Sequence, residues 1–234
     1  MQTIIFDLDG TLADTSGDLI AAANACFKRL GHGELLDPGR DQATAFRGGR
    51  AMLGLGFSRL GREAAQTEID AQYPRLLEHY AENIDTFSRL YPGVVAMLER
   101  LIAEGRSLGV CTNKPEGLAD TLLRRLNVKQ YFGALIGADT LSVRKPDPAP
   151  LLECVRRLGG SAESSVLIGD TANDRETGAN AGVRCILVTF GPDGRDVAHL
   201  TPEGLLDHFD DLPDVLTRVA ARPLGAGGQH GHTV

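Results

Sequence analysis

Apolar residues run along this chain in two rhythms. Thr3-Ile4-Ile5-Phe6 is a continuous β-branched and aromatic run, the pattern of a strand buried on both faces. Ser107-Leu108-Gly109-Val110-Cys111, residues 134–137, Ser165-Val166-Leu167-Ile168-Gly169 and residues 184–189 repeat it. Between these runs the apolar positions take helical spacing. Pro92 opens one such segment, with Val95, Leu98, Leu101 and Ile102 apolar and Gly105 ending it. Residues 118–126, 147–158, about 175–181 and 211–221 read as further helices. Strands alternating with helices imply βαβ units and a parallel sheet covered on both faces, an α/β fold.

The stretch from 15 to 86 breaks this alternation. Asp14-Thr15-Ser16 supplies helix N-cap residues, and Leu19, Ala23, Cys26, Phe27 and Leu30 keep helical spacing up to Gly31. No convincing strand follows until residue 87; helical segments are separated by Gly31, Asp37-Pro38, Gly48-Gly49 and Gly61. The expected organisation is therefore a core of residues 1–14 and 87–222, an all-helical cap of residues 15–86, and a disordered tail of residues 223–234. Hinges are expected near 12–14 and 87–90. Within the cap, Arg47-Gly48-Gly49-Arg50 is a basic glycine loop between two helices, either a surface turn or a substrate contact.

Charge and composition narrow the class. A formal net charge of -7 over 234 residues argues against a nucleic-acid binder. No apolar run approaches the ~20 residues of a membrane span. The first strand begins almost at once, which leaves no room for a secretory signal and points to the cytoplasm. Cys26, Cys111, Cys154 and Cys185 are scattered among apolar neighbours without metal-ligand spacing, as expected of buried thiols in a reducing compartment. Cys111 stands beside a polar run and is the one to watch. His230 and His232 in the tail have too few neighbouring ligands to hold a metal.

Several strands end in reactive groups. Asp7 and Asp9 follow the first, Thr112 and Asn113 the second, and Asp170 with Asp174 the run at 165–169, while Lys145 lies on the loop after residues 134–137. An open parallel sheet binds ligands outside the carboxyl ends of its strands, and a packed core gives no reason to collect polar groups there. The types suit phosphoryl transfer. Asp7 at the strand end can attack phosphorus, and Asp9 can protonate the leaving oxygen and then take a proton from water. Thr112 and Lys145 can meet the phosphate oxygens. Asp7 and Asp170 can hold Mg²⁺, a hard cation suited to few carboxylates plus phosphate, with Asp174 orienting a bound water or Lys145. Thr112, Asp170 and Asp174 could instead cap helices.

Asp7-Leu8-Asp9-Gly10-Thr11, Thr112-Asn113, Lys145-Pro146 and Gly169-Asp170 with Asp174 resemble, in order, the four motifs of the haloacid dehalogenase superfamily. The resemblance spans about residue 4 to about residue 190 and includes a helical cap after the first motif. It implies a Rossmann-like phosphatase core, Asp7 as nucleophile, Asp9 as acid/base, and Mg²⁺ held by Asp7, Asp170 and the Asp9 backbone carbonyl. Gly10, Thr11, Asn113, Arg47 and Gly48 are the expected substrate-binding positions. Asp9 argues against dehalogenase chemistry, because dehalogenases lack a second aspartate in that motif. The chain looks most like phosphoglycolate phosphatases, through its Asp-Gly-Thr-Leu-Ala-Asp-Thr opening, its Arg-Gly-Gly-Arg loop and its Gly-Asp-Thr-Ala-Asn-Asp segment. The expected partner is a small phosphorylated metabolite, with 2-phosphoglycolate the best single guess and the protein a monomer or homodimer. The alternatives are a phosphatase of another metabolite and a β-phosphoglucomutase-like isomerase. Lys28, the single lysine of the inserted segment, lies within a helix, which weighs against a phosphonatase.

Overall fold

The computed structural model describes residues 2–61, 63 and 65–221. The strand β1 (Thr3–Phe6) is buried at every residue and lies inside a six-stranded sheet. Short β2 (Ala13–Asp14) follows, then helices α1 (Ser16–Arg29), α2 (Gln42–Phe46), α3 (Gly49–Arg59) and α4 (Gln66–Glu82), and short β3 (Arg89–Leu90). The alternating part runs α5 (Val94–Ala103), β4 (Ser107–Cys111), α6 (Glu116–Arg125), β5 (Ala134–Ile136), α7 (Ala149–Arg157) and β6 (Ser165–Gly169). It ends with α8 (Ala172–Ala181), β7 (Arg184–Val188), β8 (Gly204–Leu206) and α9 (Leu212–Ala220).

The large sheet has the order β5-β4-β1-β6-β7-β8, and every pairing in it is parallel. Side-chain alternation sends Ile4 and Phe6 to one face and Ile5 to the other. The Ile5 face packs with Leu167, Leu151, Cys154 and Val155, covered by α7. The Ile4 and Phe6 face carries Leu98, Leu101, Leu122, Val215 and Leu216 from α5, α6 and α9, and its apolar cluster continues into the helical insertion through Leu12, Ile20 and Tyr80. Two-sided burial is why the strands read as unbroken apolar runs.

The helical insertion joins the sheet through a ribbon in which β2 pairs antiparallel with β3. Asp18 closes the second crossing: its carboxylate accepts the backbone N–H groups of Phe87 and Ser88 and the Ser88 hydroxyl, the last at 2.7 Å. Inside the insertion, Phe27 and Phe57 meet edge to face with centroids 5.3 Å apart. Gly56 permits that approach, since a Cβ there would lie 2.2 Å from the Phe27 ring.

Some elements differ from expectation. The strand β8 and the β2–β3 ribbon were not anticipated, because two- and three-residue strands are too short to show a period. Helix α8 begins at Ala172 rather than near Arg175, because Thr171 and Asp174 form a capping box at its start. Thr15 occupies the N-cap position of α1 without making a side-chain cap bond; Asp14 Oδ1 instead accepts from the Ser16 N–H and hydroxyl. All four cysteines are free and buried, and burial pushes the Cys111 thiol up to about 12. The expected tail and its two histidines lie outside the described residues.

Candidate active site

Register brings the reactive groups together. Phe6 pairs with Val110 on one side and Ile168 on the other. Asp7 is therefore level with Cys111 and Gly169, and Thr112 and Asp170 stand one step beyond. The Asp7 N–H continues the ladder by donating to the Ile168 carbonyl at 2.8 Å, and the Thr112 N–H does the same to Ile136 at 2.9 Å.

The Lys145 ammonium is buried between two carboxylates, 2.7 Å from Asp174 Oδ1 and 3.1 Å from Asp7 Oδ1. Burial disfavours its charge, but Asp174 and Asp7 outweigh burial and hold it above the ordinary lysine range. Burial also pushes the Asp7 carboxyl up to about 6 against the pull of Lys145. Asp7 Oδ1 further accepts the Leu8 N–H at 2.7 Å, leaving Oδ2 without a hydrogen bond among the described residues.

Asp170 is placed by the turn after β1. Its Oδ1 accepts the Thr11 hydroxyl at 2.9 Å, while its buried Oδ2 has no partner. Gly10, at φ +84°, makes room for it: a Cβ there would stand 2.3 Å from Asp170 Oδ2. Burial, with Asp174 and Asp7 nearby, raises the Asp170 carboxyl as well. Oxygens of Asp7, Asp170 and Asp174 all lie within 4.8 Å of one another. A buried carboxylate oxygen with no donor, inside a cluster of hard oxygen ligands, fits a divalent cation.

The three carboxylates are not equivalent. Asp174 Oδ1 is taken by Lys145, and its Oδ2 accepts from the Thr171 N–H and hydroxyl and the Asp170 N–H. Asp174 thus both caps α8 and holds the lysine, which leaves Asp7 and Asp170 as the carboxylates with oxygens to give. Gly10 and Thr11, expected to bind substrate, are engaged in the turn after β1. The Gly10 N–H donates to Ala13, the Thr11 N–H to Leu8, and neither residue lines the cavity described below. They shape the turn and seat Asp170.

The Asp9 side chain turns away from the carboxylate cluster. Both its oxygens meet the Lys114 ammonium, at 2.8 and 2.9 Å, and Oδ1 also accepts the Thr15 hydroxyl at 2.7 Å. Lys114 is 7 % exposed, and the Tyr80 ring from α4 lies over its Nζ, 4.5 Å from the centroid. Burial works against this ammonium, but Asp9 and Tyr80 raise it above the ordinary range.

A cavity of about 540 Å³ opens between sheet edge and helical insertion, lined by Asp7, Asp9, Thr112, Asn113, Lys114 and Lys145 from the core side. The insertion contributes Arg47, Gly48, Arg50 and Tyr73. Thr112 does not cap the following helix, whose N-cap is Pro115; its hydroxyl accepts the Lys114 N–H at 3.2 Å. Asn113 donates to the Lys145 carbonyl at 3.0 Å, with its own amide oxygen buried and unpartnered. The Arg47-Gly48 corner joins α2 to α3, with Gly48 at φ +96°. Arg47 is exposed and makes no ion pair or hydrogen bond among the described residues, whereas Arg50 is bound to Asp70 and lies over Tyr73.

Lys114, Thr15 and Arg144, which were not among the expected site residues, all touch this site or its partners. Lys114 had a signal, being the third residue of the polar run that ends β4. Thr15 had none, because a threonine before a helix is ordinarily a cap.

These features define a class of protein: a Rossmann-like α/β enzyme whose acidic and cationic groups gather at the carboxyl edge of a parallel sheet, beneath a helical insertion. Comparison with known proteins gives the family. Residues 4–188 match the family model described as haloacid dehalogenase-like hydrolase, and the chain belongs to that family. It is 37% identical over 214 residues to a phosphoglycolate phosphatase of Agrobacterium fabrum, covering 91% of each chain. It is 36% identical over 224 residues to one of Mesorhizobium japonicum, covering 95% of this chain and 97% of that one. The crystal structure of a predicted phosphoglycolate phosphatase from Haemophilus somnus superposes with a TM-score of 0.82 at 26% identity, over 92% of this chain and 98% of that one. The enzyme class is phosphatase. Among the described residues, no helix is long and apolar enough to cross a membrane.

Proposed function

We propose that this enzyme hydrolyses a small phosphate monoester through an aspartyl-phosphate on Asp7, with 2-phosphoglycolate as the substrate. The observation that carries the reading is the meeting of Asp7 and Lys145 at one end of a cavity, with Asp170 beside Asp7, while the other wall carries Arg47, which has no ion pair among the described residues. Asp7 Oδ2 is free to attack phosphorus, forming the acyl phosphate while the bond to the leaving oxygen breaks. Asp9 gives that oxygen its proton and then takes one from the water that cleaves the intermediate. Thr112, Asn113 and the Lys145 ammonium orient the phosphoryl oxygens and offset their charge.

Asp7 and Asp170, with the Asp9 carbonyl, are the residues that would hold Mg²⁺, and a bound cation would neutralise charge on the phosphoryl oxygens. Arg47 is the cap residue proposed to meet the substrate carboxylate. We further propose that residues 15–86 act as a cap moving about the β2–β3 ribbon to exclude water. A cytoplasmic enzyme, monomeric or homodimeric, is in keeping with its four unpaired buried cysteines.

The test is phosphate release from a panel of monoesters with and without Mg²⁺. Metal-dependent release with 2-phosphoglycolate preferred is expected; no metal-dependent release from any monoester removes the reading. Phosphorus NMR separates hydrolysis from the isomerase alternative, which would turn over a sugar bisphosphate without net phosphate loss.

A further inference from the structure

We infer that Lys114 is a specificity-determining residue: it clamps Asp9 in the free enzyme and is the cation on which a substrate carboxylate next to the leaving oxygen would sit. The inference rests on the proposed phosphoglycolate reading and deepens it. Both Asp9 oxygens are engaged by one ammonium, and Thr15 holds Oδ1 from the other side. In that arrangement the carboxylate proposed to serve the leaving oxygen is held by three hydrogen bonds and must loosen from some of them to reach substrate.

The covalent structure of a glycolate ester supplies the trigger. Its carboxylate is two bonds from the bridging oxygen, so a side chain that protonates that oxygen unavoidably has the substrate carboxylate beside it. Once Asp9 has given up that proton it is a carboxylate, and two carboxylates at that separation repel unless a cation lies between them. Lys114 is the ammonium already in contact with Asp9, and it lines the cavity. Its remaining surroundings are desolvated by the Tyr80 ring of α4, where an ion pair is strengthened by the low dielectric. A substrate carboxylate on Nζ takes over part of the ammonium from Asp9, so recognition of the anionic tail and release of the acid/base become one event. A monoester with a neutral tail lacks this exchange. Arg47, at the exposed wall, meets the carboxylate on entry, and Lys114 takes it where the leaving oxygen lies.

Two esters that differ at one group test this: 2-phosphoglycolate and ethyl phosphate, in which a methyl replaces the carboxylate. The expected result is that wild type prefers phosphoglycolate, and that Lys114→Met lowers the ratio of the two kcat/KM values by ~10- to 100-fold, the size of a lost hydrogen bond to a charged group. An unchanged ratio, with both activities falling together, would mean that Lys114 only holds Asp9 in place and overturns the inference. Equal wild-type rates for the two esters overturn it while leaving the phosphatase reading intact. No turnover of either ester sinks the substrate reading itself.

Should Lys114→Met fail to fold, a wild-type crystal structure with 3-phosphonopropionate and Mg²⁺ decides the question. Carboxylate on Lys114 Nζ with Asp9 displaced from at least one contact supports the inference. Asp9 still bound through both oxygens, with the carboxylate on Arg47 or elsewhere, refutes it.

Discussion

Lys145 Nζ lies 2.7 Å from Asp174 Oδ1, an ion pair in which both side chains are almost wholly excluded from solvent. The same ammonium lies 3.1 Å from Asp7 Oδ1, so one lysine offsets two buried carboxylates. Lys145→Met leaves both uncompensated. The expected cost is ~3–5 kcal/mol, as for breaking a buried pair from one side, with phosphatase activity lost as well. Urea unfolding in the presence of a chelator measures it, and a change below about 1 kcal/mol would show that the lysine does not hold the charge cluster together.

Asp7→Asn keeps the shape of the strand end and removes the attacking oxygen. Turnover should fall on the order of 10⁴-fold or more, with the circular dichroism spectrum unchanged. Residual activity within tenfold of wild type would place the nucleophile elsewhere. In the wild-type enzyme, chelation should abolish phosphate release and Mg²⁺ should restore it.

Gly10→Ala tests the turn. The new Cβ would fall 2.3 Å from Asp170 Oδ2, at a residue held at φ +84°. Strain of roughly 1–3 kcal/mol is expected, together with weaker Mg²⁺ binding as Asp170 is pushed aside. Calorimetric titration with Mg²⁺ reads this directly, and an affinity within twofold of wild type would show that Asp170 is free to move.

Gly56→Ala concerns the insertion alone. Its Cβ would overlap the Phe27 ring, and overpacking of this kind costs ~1–3 kcal/mol. A drop in the melting temperature is expected; an unchanged one would mean that α1 and α3 can separate without cost.

The pair Asp41–Arg59 gives a pH dependence. The carboxylate is buried, accepts two guanidinium N–H groups at 2.6 Å, and is held below its ordinary value of 3.8 by those bonds. A depressed carboxyl stabilises the fold above its unfolded value, and that stabilisation is lost as pH falls through the lower folded value. Asp41→Asn should therefore melt below wild type at pH 7, with the gap closing in acid below about 3.8. A gap that stays constant from neutral pH down to pH 3 would mean that the ion pair contributes nothing.

Much of the fold was legible in the sequence because each core strand is buried on both faces and each covering helix on one. Ser107–Cys111 and Ser165–Gly169 were read with their observed bounds, since an unbroken apolar run that ends in a polar residue marks a strand end without ambiguity. Ala13–Asp14 and Arg89–Leu90 carried no such mark. They are strands because the chain crosses twice between sheet and insertion, and the two crossings pair with each other. Gly10 and Thr11 were read as ligand contacts because a glycine turn after a strand commonly is one; here their amides close the turn itself.

Local pattern determined which residues stand at the carboxyl edge, since a strand's period and its end depend on near neighbours. The partner of each charged group was decided by the tertiary structure. Asp9 and Lys114 are 105 residues apart, and Asp7, Lys145 and Asp174 come from three separate connections. Whether a carboxylate there faces a lysine, a helix N-terminus or open cavity depends on strand order and register, and spacing along the chain carries no information about either.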